Sequence, residues 1–396
     1  MVISKYLPPK LIVFLKKIIY SGVRIIYHKA RVITTVKTEV LHLEKVDVFF
    51  GYYDISPFRG DRILYHEHQK NSDTVAIIVD SQKYDARTLI AVSKAWNWQQ
   101  GSRLRWHPCD SNKIIFNDYD GEKYICRIVD VSNGEEQRIA WPLYDIDNNC
   151  TLGISLDFAR LGIKRPGYGY TCYKYQQEPD LQNNGIFIVD IKRNKILKTI
   201  TYNDIAKSID GGLYDYSDFY INHLSFSPDG KKFLFFWIQG LGGYHKASLL
   251  VYDCIAEKII ILEREGKVSH YAWRNNDEIL CTVFDSDNEC RYFLYSIERQ
   301  SKRIVRGDVL LRDGHPSFID QETIVTDTYP DKYGYQQLNI VAINAKTHKN
   351  IAQLYSVPVD RAEIRTDLHP RISPDRQKIC VDSNNRGTRD IVLFTV

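Results

Sequence analysis

Short stretches of alternating hydrophobic and polar residues dominate the chain from about residue 47 onward. Turns rich in Asp, Gly, Asn and Pro separate these stretches, and no segment after residue 45 shows the roughly 3.6-residue period of a long helix. Alternation with a period of two is typical of β-strands that bury one face. The pattern therefore predicts an all-β body.

One unit recurs along this body: a strand, a turn that reads Ser-Pro-Asp-Gly or a degenerate form of it, and a second strand. The clearest copies are HLSFSPDGKKFLFFW (223–237) and HPRISPDRQKICVDS (369–383). Weaker copies begin at Tyr52, Arg103, His270 and His315, and a seventh spans 141–158. Such repeats of about four strands are typical of a β-propeller. We predict a seven-bladed propeller; the alternative is a six-bladed ring, with 141–158 as an insertion.

The two ends of this body are predicted to complete each other. The last unit stops at Val396 after about three strands, whereas Val32 to Leu43 alternates like a strand. Blades bury both faces of their sheets only when the ring is closed. We therefore predict that residues 32–396 form a single propeller domain, with the segment 32–43 closing the last blade.

A different pattern precedes the strands, within residues 1–31. Apolar residues between 9 and 30 fall on one side of a helical wheel, and basic residues fall on the other: Lys10, Lys16, Lys17, Arg24 and Arg31. This predicts a short basic amphipathic helix. Its longest apolar run, Leu11 to Leu15, is shorter than a signal peptide or a spanning helix requires.

Three interpretations of this helix are open. It lies on an anionic membrane surface, it packs its apolar side on the body, or it is a cryptic export signal. The first two place the protein in the cytoplasm, and the first places it at the inner face of the membrane.

The composition of the chain limits the classes of binding partner and the cellular compartment that we expect. Eight of the 53 bases precede the first acid, Glu39, so the rest of the chain carries 45 bases against 49 acids. A mildly acidic body disfavours nucleic-acid binding. The 27 Tyr, 16 Phe and 6 Trp suit both β-sheets and carbohydrate contact. The eight cysteines form no CxxC pair, which predicts free thiols in a reducing compartment.

Four histidines occupy one position in successive units, five residues before the turn: His223, His270, His315 and His369. Innermost strands line the channel of a propeller, so equivalent positions should converge there. Imidazole is both a common ligand of divalent metals and a general base suited to neutral pH. We expect these four side chains to form a functional site.

Loops rich in Arg and Tyr are predicted to overhang the channel. They are RLGIKRPGYGY (160–170), TDTYPDKYGY (326–335) and DSNNRGTRD (382–390). Tyr can stack on sugar rings, and Arg can clamp a carboxylate through two hydrogen bonds; ordinary turn chemistry is the alternative. The chain contains no P-loop, GxGxxG after a strand, GxSxG or HExxH motif.

An ordered set of blocks, YYDISPF, RPGYGY, INHLSFSPDG, SHYAW, DGHPSF, TDTYPD and DLHPRISPD, resembles the oligogalacturonate-lyase-like β-propellers, which are related to the propeller polysaccharide lyases. The resemblance spans about residues 47–396. It implies a seven-bladed propeller that cleaves uronic-acid-containing glycans by β-elimination. In that family a His or Tyr acts as base, an Arg neutralises the uronate carboxylate, and a Mn-type ion binds channel histidines and a Gln.

The resemblance and the repeat together imply the roles of individual residues. The expected catalytic residues are His223 as base, Arg160 or Arg165 as the carboxylate clamp, and Tyr170. The expected ligands of a divalent ion, Mn or Zn, are His270, His315 and His369. The expected substrate contacts are Tyr52, Tyr53, Arg103, Tyr168, Tyr329 and Arg386. The chain departs from the family in lacking a Gln-x-x-His-x-His run: Asp367 and Arg371 flank His369, and an Arg there is expected to repel a cation.

Two functions of different classes follow. The first is a cytoplasmic lyase, a monomer or small homo-oligomer, that acts on a uronate-containing oligosaccharide or polysaccharide. The alternative is a glycan-modifying enzyme or glycan-binding scaffold of cell-surface polysaccharide biosynthesis, docked to the membrane through residues 9–30.

Overall fold

The computed structural model describes residues 8–26, 31–172, 180–210, 219–241, 244–264, 266–285 and 287–396. The strands within these ranges form seven successive blades, each an antiparallel sheet of about four strands. A helix, Pro9–Ile26 (α1), precedes the ring. The prediction of an all-β, seven-bladed propeller with a short N-terminal helix is confirmed.

The first three blades are built from the following strands, given from the channel outward. Blade 1 contains Val46–Phe49 and Phe58–Arg59, which both pair with Arg62–Gln69, then Val75–Ser81 and Thr88–Ser93. Blade 2 contains Arg105–Trp106, Lys113–Tyr119, Tyr124–Asp130 and Glu136–Ile139. Blade 3 contains Asp145–Ile146, Leu152–Ser155, Gly185–Asp190 and Lys195–Thr201. The segment 141–158 therefore supplies two strands of blade 3 and is not an insertion between blades.

The remaining blades follow in the same order. Blade 4 contains Phe219–Phe226, Lys232–Leu241, Tyr244–Asp253 and Lys258–Glu263. Blade 5 contains Lys267–Trp273, Glu278–Phe284, Cys290–Ser296 and Ser301–Val305. Blade 6 contains Ser317–Phe318, Thr323–Asp327, Tyr335–Ala342 and His348–Tyr355. Blade 7 contains Arg371–Ile372, Lys378–Ser383 and Asp390–Thr395.

The segment after the helix pairs with two different blades. Thr38–Leu41 runs antiparallel to Asp390–Thr395 and is the fourth strand of blade 7. Val32–Thr34 pairs with His348–Tyr355 and is a fifth strand at the edge of blade 6. The N-terminal segment thus joins the last blade to the blade before it.

The hydrophobic core is divided among the seams between neighbouring blades. Leu64 and Ile77 of blade 1, for example, pack with Leu104 and Phe116 of blade 2, and all four are almost fully buried. Each such side chain contributes about 1.5–3 kcal/mol when it leaves water. The alternating pattern of the strands thus produces many thin cores in place of one large one.

Three short helices lie between strands in the part of the chain that the structure describes. Phe158–Lys164 (α2) follows the second strand of blade 3, and its N-cap residue Asp157 accepts a hydrogen bond from the backbone N–H of Arg160. Tyr202–Asp210 (α3) follows blade 3, and Ala362–Ile364 forms a 3-10 turn before blade 7. The strand pattern of the sequence did not predict them. All eight cysteines are unpaired.

We predict that one buried histidine of blade 1 makes the fold sensitive to acid. Burial lowers the pKa of His66 to about 4. Between this value and the ordinary histidine pKa, the unfolded chain binds a proton at His66 and the folded chain does not. The free energy of unfolding should therefore decrease by about 2 kcal/mol as the pH is lowered from about 7 to about 5, through the ordinary pKa of histidine. In His66→Gln, this part of the loss should disappear.

Urea unfolding of the parent and of His66→Gln at both pH values measures the difference. The other buried histidines are unchanged in both proteins and cancel. Equal losses of stability in the two proteins contradict the prediction.

Candidate functional site

The four histidines that share a repeat position meet in the central channel. The ring centroids of His270 and His315 are 4.0 Å apart, and those of His315 and His369 are 4.4 Å apart. His223 joins them through Tyr52, whose ring lies 5.3 Å from His223 and 4.8 Å from His369. All five side chains are buried. Blades 4 to 7 and blade 1 therefore each contribute one ring to a common cluster.

The backbone at this repeat position is unusual in several blades. Arg103, His223 and His369 have φ angles of +56°, +59° and +48°. Residues other than glycine rarely adopt this left-handed conformation, which costs about 1–3 kcal/mol. In blade 4 the strand pairing shifts register between Asn222 and Ser225, around His223. The same local conformation thus recurs at the channel, where the surrounding contacts hold it in place.

A buried group of two histidines and one carboxylate is suited to a metal ion. His315, Asp367 and His369 each offer one ligand atom, all within 4.8 Å of one another. His315 Nδ1 lies 2.8 Å from Asp327 Oδ1, and His369 Nδ1 donates to the carbonyl oxygen of Gly51 at 2.9 Å. The Nε2 atoms of both rings are buried and have no hydrogen-bond partner among the described residues. These bonds keep the proton on Nδ1 and leave Nε2 for a metal.

The donor set of this group fits the metals that were expected. Two imidazole nitrogens and a carboxylate oxygen suit Zn- or Mn-type ions. Arg371, which was expected to repel a cation, forms two contacts of 3.0 Å with the carboxylate of Asp382. Its charge is thereby neutralised, and its Nη2 donates to the carbonyl of Gly51 at 2.6 Å.

His270 lies outside this group of three. Its Nδ1 lies 2.9 Å from Asp313 Oδ1, and Ser269 Oγ donates to the other carboxylate oxygen at 2.8 Å. Burial opposes ionisation of Asp313, but the charge of His270 and the hydrogen bonds outweigh it and lower the pKa to about 2. The candidate metal group of the described residues therefore contains Asp367, whereas His270, which the resemblance implied as a ligand, is not part of it.

The protonation of the four imidazoles differs with their neighbours. Burial holds the pKa of His223 and of His369 well below the ordinary value, and nearby positive groups lower it further. Burial also lowers the pKa of His270, because Asp313 only partly offsets it. Burial would lower the pKa of His315 too, but its hydrogen-bonded partner Asp327 outweighs this and raises it. His223 and His369 are therefore neutral near pH 7.

A cavity of about 250 Å³ lies beside the cluster, and its described walls are cationic and aromatic. The basic side chains that line it are Lys164, Arg165 and Lys267; the aromatic ones include His223, His270, Tyr168 and Tyr329. No Asp or Glu occurs among its described lining residues. Such a cavity favours an anionic ligand with an apolar face.

The tautomer of His223 is set by its neighbour in the strand. The hydroxyl of Tyr144 donates to Asn222 Oδ1 at 3.0 Å, which turns the amide nitrogen toward His223. Asn222 Nδ2 then lies 3.3 Å from His223 Nε2. The lone pair of the neutral ring is therefore on Nε2, and the proton is on Nδ1, which has no partner among the described residues.

Tyr52 is a second buried group without a hydrogen bond in the described part of the chain. Burial, reinforced by Tyr53 and Tyr168, raises its pKa well above that of a free tyrosine. The Tyr52 hydroxyl is thus a phenol that keeps its proton and can donate it.

Two expected catalytic residues lie in the protein interior and support the fold. Arg160, on α2, is buried, and its Nη2 donates to the carbonyl of Phe219 at 2.8 Å. The hydroxyl of Tyr170 accepts from Asn117 Nδ2 at 2.9 Å, and neither residue lines the cavity. Arg165, directly after α2, does line it.

The expected substrate contacts also divide into two sets. Tyr52 and Tyr168 lie at the cluster, and Tyr329 lines the cavity. Three others have structural partners: Arg103 contacts both carboxylate oxygens of Asp54, the Tyr53 hydroxyl donates to the carbonyl of Tyr271, and the half-exposed Arg386 lies 3.8 Å from Asp390.

Sequence reasoning did not assign roles to the acidic partners of the histidines. Asp313 and Asp367 each lie two residues before a repeat histidine, and this shared spacing is a signal in the sequence. Asp327 lies at the end of the second strand of blade 6 and carries no such signal. Lys267 begins the innermost strand of blade 5, three residues before His270.

Comparison with known proteins shows likeness in structure only. No family model matches the chain, and no curated protein does. The structure of an oligogalacturonate lyase in complex with manganese has a TM-score of 0.66 at 14% identity, covering 92% of this chain and 94% of that chain. Oligogalacturonate lyase from Vibrio parahaemolyticus has a TM-score of 0.63 at 14% identity, covering 93% and 98%.

The same fold also occurs in a protein of another class. The β-propeller domain of the Trilobed protease from Pyrococcus furiosus has a TM-score of 0.54 at 10% identity, covering 91% of this chain and 94% of that chain. Fold alone does not assign an activity. The resemblance to the oligogalacturonate-lyase-like propellers that the sequence motifs predicted is therefore confirmed at the level of the fold.

Proposed function

We propose that the chain is a lyase that cleaves a uronate-containing glycan by β-elimination in the central channel. The observation that carries the proposal is a neutral His223 that lines a cationic cavity and stacks on a protonated Tyr52, which is not itself among the lining residues. The oligogalacturonate lyases that share the fold support the choice of substrate class.

Arg165 is the proposed clamp for the substrate carboxylate. It lines the cavity, its guanidinium lies 5.3 Å from the ring centroid of Tyr168, and the described lining holds no carboxylate to neutralise it. A guanidinium can bind a carboxylate through two parallel hydrogen bonds. Removal of the proton from C5 of a uronate delocalises negative charge onto that carboxylate, so this contact strengthens as the reaction proceeds.

His223 and Tyr52 are the proposed proton carriers. His223 takes the proton from C5 on the Nε2 lone pair, which gives up its long 3.3 Å contact with Asn222 Nδ2 in exchange. The C4–O bond breaks, and a double bond forms between C4 and C5. The Tyr52 hydroxyl gives its proton to the departing glycosidic oxygen. After the product leaves, water takes the proton from His223 and returns one to the Tyr52 hydroxyl, so both groups return to their starting state.

The proposed metal ligands are His315, Asp367 and His369. A divalent cation bound by these residues would supply positive charge that stabilises the developing negative charge of the reaction. The chain itself prepares the group: Asp327 and Gly51 fix the two rings through Nδ1, and Asp382 neutralises Arg371.

The first test is formation of unsaturated uronate product, followed by its ultraviolet absorbance, with a panel of uronate-containing oligosaccharides. We expect His223→Ala to lower kcat by about 100-fold or more, because a positioned acid–base group contributes about 10²–10⁴. Tyr52→Phe should lower kcat comparably, and Arg165→Ala should both raise KM and lower kcat.

The matched control is His348→Ala, since His348 is an exposed histidine on the outer strand of blade 6. It should leave the rate unchanged. If no substrate of the panel gives unsaturated product, or if His223→Ala is as fast as the parent, the lyase proposal is wrong.

The second test is titration of metal-free protein with Mn²⁺ and with Zn²⁺ by calorimetry. Asp367→Asn and His369→Ala should weaken binding by more than about tenfold, and loss of the supporting carboxylate in Asp327→Asn should weaken it about 10–100-fold. His270→Ala should bind nearly as tightly as the parent. Tight binding by Asp367→Asn together with loss in His270→Ala would show that the ligand set is different.

A further inference from the structure

Helix α1 carries a stripe of exposed apolar side chains. They are Leu11, Phe14, Leu15, Ile18 and Ile19, with exposed fractions between 40% and 58%. Five large hydrophobic residues on one short helix form a contiguous apolar patch, and such patches mark interaction sites. Among the helix side chains that the structure describes, Ile12, Val13, Lys16 and Tyr20 line the cavity of about 360 Å³ between α1 and the propeller. The apolar stripe is therefore left for another partner.

The charge of the helix indicates what that partner is. Pro9–Ile26 contains Lys10, Lys16, Lys17 and Arg24 and no acidic residue. An anionic lipid surface satisfies both the apolar stripe and the bases beside it. A second copy of the chain would bring the same bases together, which like-charge repulsion opposes.

The position of α1 relates this surface to the channel. The ring of Tyr20 lies 6.3 Å from that of Tyr355. Arg365 lines the cavity beneath the helix, and its guanidinium is 5.3 Å from the ring of Tyr329, which lines the catalytic cavity. The helix therefore lies on the face where the channel site opens.

We propose that α1 docks the propeller on an anionic membrane surface, with the mouth of the channel turned toward the lipid. No helix in the described ranges is long and apolar enough to cross a bilayer. In the proposed arrangement the apolar stripe of α1 enters the headgroup region and its bases stay at the lipid surface. This orientation favours a glycan substrate that is anchored to the membrane or has just been released from it. Only this consequence rests on the proposed lyase function.

Cosedimentation with vesicles tests the docking. The full chain should pellet with vesicles of phosphatidylcholine and phosphatidylglycerol, and much less with phosphatidylcholine alone or at high salt. Phe14→Glu combined with Ile18→Glu should lower the partition coefficient at least about tenfold. Ile255→Glu combined with Ile304→Glu is the control, because these exposed residues lie far from α1 in the chain, at blades 4 and 5.

Equal pelleting of the two double variants rules out α1 as the docking surface. A dimer in solution that the Phe14/Ile18 variant converts to a monomer, without vesicle binding by the parent, assigns the stripe to a second copy and overturns the proposal. Neither measurement depends on catalysis, so a failed lyase assay does not affect it.

Two native cysteines test the orientation. Cys172 is exposed and follows the loop whose Arg165 and Tyr168 line the cavity beside the histidines, whereas Cys109 is exposed in the turn after the innermost strand of blade 2, near Asn148. A fluorophore on Cys172, with Cys109→Ser, should be quenched by lipids that carry a quencher. A fluorophore on Cys109, with Cys172→Ser, should be quenched far less. The reverse order, or equal quenching, contradicts the orientation.

Discussion

The pairing of Thr38–Leu41 with Asp390–Thr395 is the interaction on which the rest of the structure depends. A single blade cannot bury both faces of its sheet, so each blade depends on its neighbours and the first depends on the last. Leu41 packs at this seam with Ile63 of blade 1 and Ile391 of blade 7. The closing strand therefore contributes hydrogen bonds along one edge and apolar area to the joint that completes the ring.

The same joint positions part of the candidate site. Asp382 of blade 7 accepts hydrogen bonds from the backbone N–H groups of Phe50 and Gly51 in blade 1, and it pairs with Arg371. The carbonyl oxygen of Gly51 in turn accepts a hydrogen bond from His369 Nδ1. The tautomer of this candidate ligand is thus set by a neighbouring blade, and an open ring would leave Nε2 without a fixed direction. The contacts between blades 7 and 1 that close the ring therefore also orient His369 in the candidate site.

The features that could be predicted from the sequence are those that the repeat encodes. A repeat in the sequence becomes a rotation about the channel, so the shared spacing of four histidines was enough to predict that His270, His315 and His369 meet. The alternation of apolar and polar residues was enough to predict that the body consists of strands. The place of Asp367 in the candidate metal group depends on how the two imidazole rings are turned, and hydrogen-bond partners such as Asp327, on a different strand, fix the orientation of the rings.

Other features that could not be predicted lie in segments outside the repeat. The chain between the second and third strands of blade 3 holds α2 and the loop after it, and it has no counterpart in the spacing of the other units. Within one turn, α2 directs Arg160 into the interior, where it binds the carbonyl of Phe219, while Lys164 and Arg165 at its end reach the cavity. Two arginines five residues apart in one motif therefore differ in role because of a short helix that no strand pattern reveals. The repeated scaffold supplies the histidines, and the segment with α2 supplies Lys164 and Arg165, two of the three basic side chains among the described lining of the cavity.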